Sequence, residues 1–185
     1  DEQALIEREV MNRANAGRHD DLTLQALQKI RNPATLPLIL KWIDEKPSED
    51  LSLVITYAEV GGAGHFGSLI ERYSQFSPDS QAYLLRLLSA TNHPDARRMV
   101  REGLLSNDST VYRVSCALMV EWGDDEAVAA LVEAIEKSIP NFVDRAGEMV
   151  GGLGLIGSQA ARRALVAMEN SSHRETHLQG RLGMI

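Results

Sequence analysis

Apolar positions recur along this chain with two periods at once. Within short stretches they fall three or four residues apart, and the whole pattern returns about every 31 residues. Leu38, Leu69, Val100 and Leu131 form one column, and Trp42, Tyr73, Leu104 and Ile135 form another four residues further on. Ala34, Ala96 and Ala127 open the same stretches, with His65 in the matching place of the second. Steps of four and eight put one side chain per turn on a single helical face, so each column pair predicts the buried stripe of a helix.

Breaks recur with the same period. Pro47, Pro78 and Pro140 stand at intervals of 31 and 62, and Ser109 in Asp108-Ser109-Thr110 takes the missing place. Each break comes with a residue suited to cap a helix N-terminus. Within the repeats, Asn32-Pro33 and His93-Pro94-Asp95 set proline at or near a first helical position, where its absent N–H costs nothing. Trp122-Gly123-Asp124 supplies a closing glycine and then a capping aspartate. These signals predict first helices near 20–31, 48–60, 79–91, 110–122 and 141–155, and second helices near 33–45, 65–76, 94–105, 124–138 and 158–170. A further helix is predicted over 1–16, and 174–184 reads as the opening helix of a sixth unit.

The predicted fold is therefore all-α, with 1–185 forming a single array whose repeats run roughly 17–46, 47–77, 78–108, 109–139 and 140–172 between terminal segments 1–16 and 173–185. A helix pair of this size cannot bury its own stripe, so stacked neighbours must supply the core, as in an α-solenoid. Val111-Tyr112-Arg113 through Ala117-Leu118, then Gly123-Asp124, Ala127 and Leu131, resembles the unit of short bacterial HEAT-like repeats, the kind found in phycobilin lyase subunits and in scaffolding proteins. The fifth unit resembles it again through Val143, Arg145, Leu153-Gly154, Ile156-Gly157, Ala160 and Ala164. Two features depart from the family pattern: Arg113 and Arg145 stand one step later than its first-helix arginine, and two extra residues lie between Pro140 and Ala160. The resemblance implies an α-solenoid of about five helix pairs with a concave face lined by the second helices.

Composition narrows the function classes. A 5% aromatic content leaves the core to aliphatic residues, and a lone cysteine, Cys116, excludes an intrachain disulfide framework. A formal charge of -7 opposes a protein whose main task is gripping nucleic acid or an anionic membrane. The longest run without Asp, Glu, Lys or Arg, Met149 to Ala161, is thirteen residues, well short of the ~20 a membrane-spanning helix needs. No signal pattern follows Asp1, so a cytoplasmic location is the default expectation.

Candidate chemistry is sparse. Gly152-Leu153-Gly154-Leu155-Ile156-Gly157 matches a dinucleotide fingerprint, but a helix is predicted before it instead of a strand, and the repeat register makes Gly157 an ordinary turn residue. The glycines are instead expected to loosen or bend the fifth first-helix. His173 and His177 stand four apart without the remaining parts of a zinc motif, and the His-Glu pairs of iron-binding HEAT-like hydroxylases do not occur, so neither metal nor other cofactor is expected. Cys116, among Val114, Ala117 and Leu118, reads as packing. The cations are more informative. Arg97, Arg98 and Arg101 share one second helix, Arg162 lies on another, and Lys41 and Arg72 occupy the same position in successive units. Lys41, Arg72, Arg97, Arg98, Arg101 and Arg162 are therefore the candidate partner-binding residues. Glu121, Asp124, Asp125, Glu126, Glu133 and Glu136 give the fourth unit the opposite sign, which favours a protein or peptide of mixed charge over a phosphate backbone. The expected function is a non-catalytic interaction module or scaffold. The alternatives are an enzyme subunit of the chromophore-lyase type and a nucleic-acid-binding HEAT-like protein.

Overall fold

The computed structural model describes residues 2–17, 20–45, 51–138 and 143–182, and every regular element among them is helical. Eleven α-helices follow in order: α1 Glu2–Asn15, α2 Asp21–Ile30, α3 Leu36–Glu45, α4 Leu51–Gly61, α5 Phe66–Ile70, α6 Pro78–Ala90, α7 Ala96–Gly103, α8 Ser109–Trp122, α9 Asp125–Ser138, α10 Val143–Ile156 and α11 Gln159–Leu182. Short polar side chains start them by accepting the first free backbone N–H groups. Asp20 accepts from Thr23 N at 2.9 Å, Ser77 from Ser80 N at 3.3 Å, Asp108 from Thr110 N at 2.8 Å and Asp124 from Ala127 N at 2.9 Å. The predicted breaks at Pro47 and Pro140 lie outside the described residues. Gly123 and Gly157, at φ 59° and 62°, close α8 and α10 in the left-handed conformation that glycine adopts without a Cβ clash.

Two compact units divide the chain, Asp1–His93 and Pro94–Ile185, and the boundary falls inside the third predicted repeat, between its two helices. In the first unit α4 packs against α2, α3, α5 and α6, and α1 packs against α2. Leu24 and Leu27 of α2, Leu53, Val54 and Tyr57 of α4, and Leu84, Leu85 and Leu88 of α6 are buried. A hydrogen bond from Gln28 Nε2 to the fully buried Thr56 Oγ1, 2.9 Å, joins α2 to α4. In the second unit α8 packs against α7, α9 and α10, while α9 packs against α8, α10 and α11. Val111, Val114, Leu118 and Met119 of α8 and Val128, Leu131, Ala134 and Ile135 of α9 are buried in its core.

The second helices of the early repeats are shorter than their pattern predicts. Residues 33–35 form a 3-10 turn before α3, and α5 is five residues long between 3-10 turns Ala63–His65 and Tyr73–Gln75. Gly61, Gly62, Gly64 and Gly67 crowd the start of α5, and each glycine disfavours continuous helix by about 1 kcal/mol. Leu36, Ile39, Trp42 and Ile43 are the buried residues of α3; Trp42 keeps its predicted column, and the column member Leu38 is half-buried. Leu69, Val100 and Leu131 are fully buried as the column predicts. At the other end α11 continues to Leu182 without the predicted boundary near 172, because Asn170-Ser171-Ser172 supplies only weak helix breakers and no proline or glycine occurs from Gln159 to Gln179.

Despite its glycines, α10 is one uninterrupted helix of 14 residues. A Cβ on the buried Gly152 would stand 3.1 Å from Val120 Cγ2 and 3.3 Å from Cys116 Sγ, so this glycine lets α10 approach α8 closely. Gly147, Gly151 and Gly154 face open space and, with Val150 and Leu155, form an uncovered apolar strip. These two environments make opposite predictions. Gly151→Ala raises the unfolding free energy by up to about 1 kcal/mol through helix propensity. Gly152→Leu lowers it by about 1–3 kcal/mol by overfilling the α8–α10 contact. Urea denaturation of the two variants checks both signs.

Candidate functional site

The six predicted cations fall on α3, the turn after α5, α7 and α11, and most of them are already bound by carboxylates of the same chain. Lys41 lies 4.0 Å from Glu45 one turn along α3. Arg72 grips Asp44 with both arms of its guanidinium, Nε to Oδ1 at 2.6 Å and Nη2 to Oδ2 at 3.1 Å, and donates through Nη1 to the Ser68 carbonyl at 3.0 Å. That pair ties the end of α3 to the turn after α5, and the guanidinium holds the Asp44 carboxyl below the usual aspartate range. Arg162 is exposed on the first turn of α11 and has no ion pair among the described residues.

The α7 arginines form the densest group. Arg97 reaches Asp124 through Nη2 at 2.6 Å and Nη1 at 3.3 Å, and Glu126 at 3.2 Å, while its guanidinium lies 4.8 Å from the Trp122 ring centroid. Asp124 thus does two jobs, capping α9 and holding a cation from α7. The hydrogen bond from Arg97, followed by that from Ala127 N, lowers its pKa. Arg98 stays on its own helix, pairing with Asp95 at 2.8 Å and Glu102 at 3.2 Å. Arg101 donates through Nη2 to Glu133 Oε2, and Lys137 Nζ donates to the other oxygen of the same carboxylate at 2.7 Å. Two cations on one carboxylate push the Glu133 pKa down to about 2, the Lys137 hydrogen bond being the larger cause and Arg101 the next.

Between α7 and α9 lies a cleft of about 200 Å³. Leu105, Ala130 and Ala134 give it an apolar lining, and Arg101, Glu102, Glu133 and Lys137 give it a charged rim. Leu105 is 43% exposed at the edge of this lining. Of the six predicted cations, the cleft takes in Arg101, with Arg98 linked to it through Glu102.

A second cluster escaped the sequence reading. Tyr112 Oη donates to Glu148 Oε2 at 2.5 Å, and Arg113 donates to the same carboxylate through Nη2 at 2.9 Å and Nε at 3.3 Å. The buried Arg145 lies 4.6 Å over the Tyr112 ring. Arg113 and Arg145, noted for their offset from the family's arginine, therefore flank one tyrosine at the α8–α10 contact. Glu148, which binds Tyr112 and Arg113, has no counterpart in the repeat columns, so period alone could not find it. Burial, and then the bond to Glu148, raise the Tyr112 pKa, while burial raises that of the Cys116 thiol. Such a thiol is a poor nucleophile and packs against Gly152.

The dinucleotide motif finds no preceding strand among the described residues, and its last glycine closes α10. His173 and His177 fall outside the residues whose side chains are described. Among the described residues no group of three or more His, Cys, Asp or Glu side chains gathers around a metal position, and no helix is long and apolar enough to cross a membrane. Comparison of the chain with protein-family models, curated proteins and solved structures gives no match.

The ion pairs carry a pH dependence of definite sign. Glu133, Asp124, Glu148 and Asp44 all have folded-state pKa values below their ordinary ones. A depressed carboxylate contributes stability that is fully present above its unfolded value and is lost as pH falls through its folded value. For Glu133 that window runs from the ordinary 4.5 down to about 2. Urea midpoints measured across it fall with pH, and Glu133→Gln flattens the acid end of the profile.

Proposed function

We propose that this protein is a non-catalytic binding module built from HEAT-like helix pairs of the α-solenoid type, and that it takes a protein or peptide segment on the face shared by α7 and α9. The carrying observation is the α7–α9 cleft, an apolar lining inside a rim of placed charges. Apolar contact gives such a site its affinity, and oriented ion pairs give it selectivity. Packing of successive first helices, α2 with α4 and α8 with α10, and of successive second helices, α9 with α11, supports the repeat reading.

The ion pairs favour a protein partner over nucleic acid. Arg97, Arg98 and Arg101 each hold a carboxylate of the same chain, so neutralising phosphates would require breaking those pairs. A protein partner carrying both signs can join the network instead.

Affinity capture from the native source, followed by mass spectrometry, tests the reading with the Leu105→Glu variant as its control. Leu105 is half-exposed, so the substitution leaves the fold intact and charges the cleft. The expected result is a protein retained by the unaltered chain and lost from the variant. Equal capture by both overturns the reading, as does a salt-dependent shift with duplex DNA that disappears in Arg97→Ala and Arg101→Ala.

A further inference from the structure

The side of α8 that packs on α10 has an uncovered counterpart on α10 itself. On α8 the contact is made by Arg113, which binds Glu148, and by Cys116 and Val120, which stand against Gly152. One period of 31 residues later those three positions are Asp144, Gly147 and Gly151 of α10. A Cβ at Gly147 or Gly151 would meet no atom within 4 Å, and Asp144 is exposed with no ion pair among the described residues. With Val150, Gly154 and Leu155 these glycines follow the three- and four-residue spacing of one helical face. Val150 and Leu155 are exposed on it, and positions 149–161 carry no Asp, Glu, Lys or Arg.

Opposite charges stand at the two ends of this apolar strip. Asp144 lies in the first turn of α10, and Arg162 and Arg163 follow shortly after the start of α11, which begins three residues beyond the last residue of α10. Both arginines are exposed and have no ion pair among the described residues. Twelve residues, about 18 Å of helix, separate Asp144 from Ile156.

We propose that α10 is a self-association surface: two copies of the chain pair their α10 helices antiparallel about a two-fold axis near Gly151. Glycine meets glycine at the crossing, Val150 and Leu155 pack beside it, and Asp144 of each copy lies by Arg162 and Arg163 of the partner subunit. The glycines let the two backbones approach closely, which offsets the helix propensity that each forfeits. A parallel pairing would set aspartate against aspartate and arginine against arginine, so charge selects the antiparallel one. A two-fold contact of this kind closes at the dimer. One helix from each copy buries less area than a standard interface, so association is weak and belongs to the micromolar range or above. The pairing uses a different helix from the α7–α9 cleft and does not depend on it.

Sedimentation velocity of the full chain across the micromolar range tests this. The expected mass rises with concentration from 20.4 kDa toward twice that value. Leu155→Glu, at a position 80% exposed, weakens dimerisation at least about ten-fold while circular dichroism stays unchanged. Asp144→Arg weakens it, as does Arg162→Glu combined with Arg163→Glu, because each of these chains then meets its own kind with like charges. An equimolar mixture of the two recovers the dimer, since both contacts are again of opposite sign. A mass fixed at 20.4 kDa overturns the proposal, as does undiminished association of Leu155→Glu. Species that grow beyond the dimer, or a mixture no more associated than its components, overturn it equally.

Discussion

Every helix here must find a neighbour for its apolar stripe, because a single pair of 10- to 14-residue helices cannot remove its own leucines and valines from water. Burying each such side chain is worth about 1.5–3 kcal/mol, so contacts between consecutive pairs dominate stability within each unit. α8 illustrates the arrangement. It is covered by α7, α9 and α10, and Val111, Val114, Leu118 and Met119 are all enclosed. α10 has the same length and also closes on a glycine, yet Val150 and Leu155 remain 37% and 80% exposed on its uncovered side.

Ion pairs are laid over this packing with a separation close to the repeat. Arg72 and Asp44 are 28 residues apart, Arg97 and Asp124 27, Arg101 and Glu133 32, and Arg113 and Glu148 35. They connect consecutive helix pairs within a unit, and their exposure limits what each adds to stability. Their larger effect is on the charge that the surface presents. Cations that look like a free stripe in the sequence are mostly committed to carboxylates.

Helical class was legible because it arises from local spacing. Leu69, Val100 and Leu131 are each buried on their own helix, and Asp108, Asp124 and Gly123 act through backbone groups within four residues. Departures occurred where a local detail changed the winding. α5 shrank to five residues between two 3-10 turns because four glycines surround its start. The cation positions were also legible, whereas their partners were not. Glu133 and Glu148 lie about one repeat away, and only the azimuth of each helix in the packed unit decides which carboxylate an arginine reaches.

The amino-acid pattern thus determined helices, caps, breaks and the identity of most buried residues, since these depend on neighbours within a turn or two. The packed structure alone decided that Gly152 is a contact point while Gly151 is open, that Tyr112 meets Glu148, and that Leu105 lines a cleft. Those outcomes depend on the separation and rotation of helices about 30 residues apart in the chain. Such quantities arise from the sum of many side-chain contacts, and no short stretch of sequence contains them.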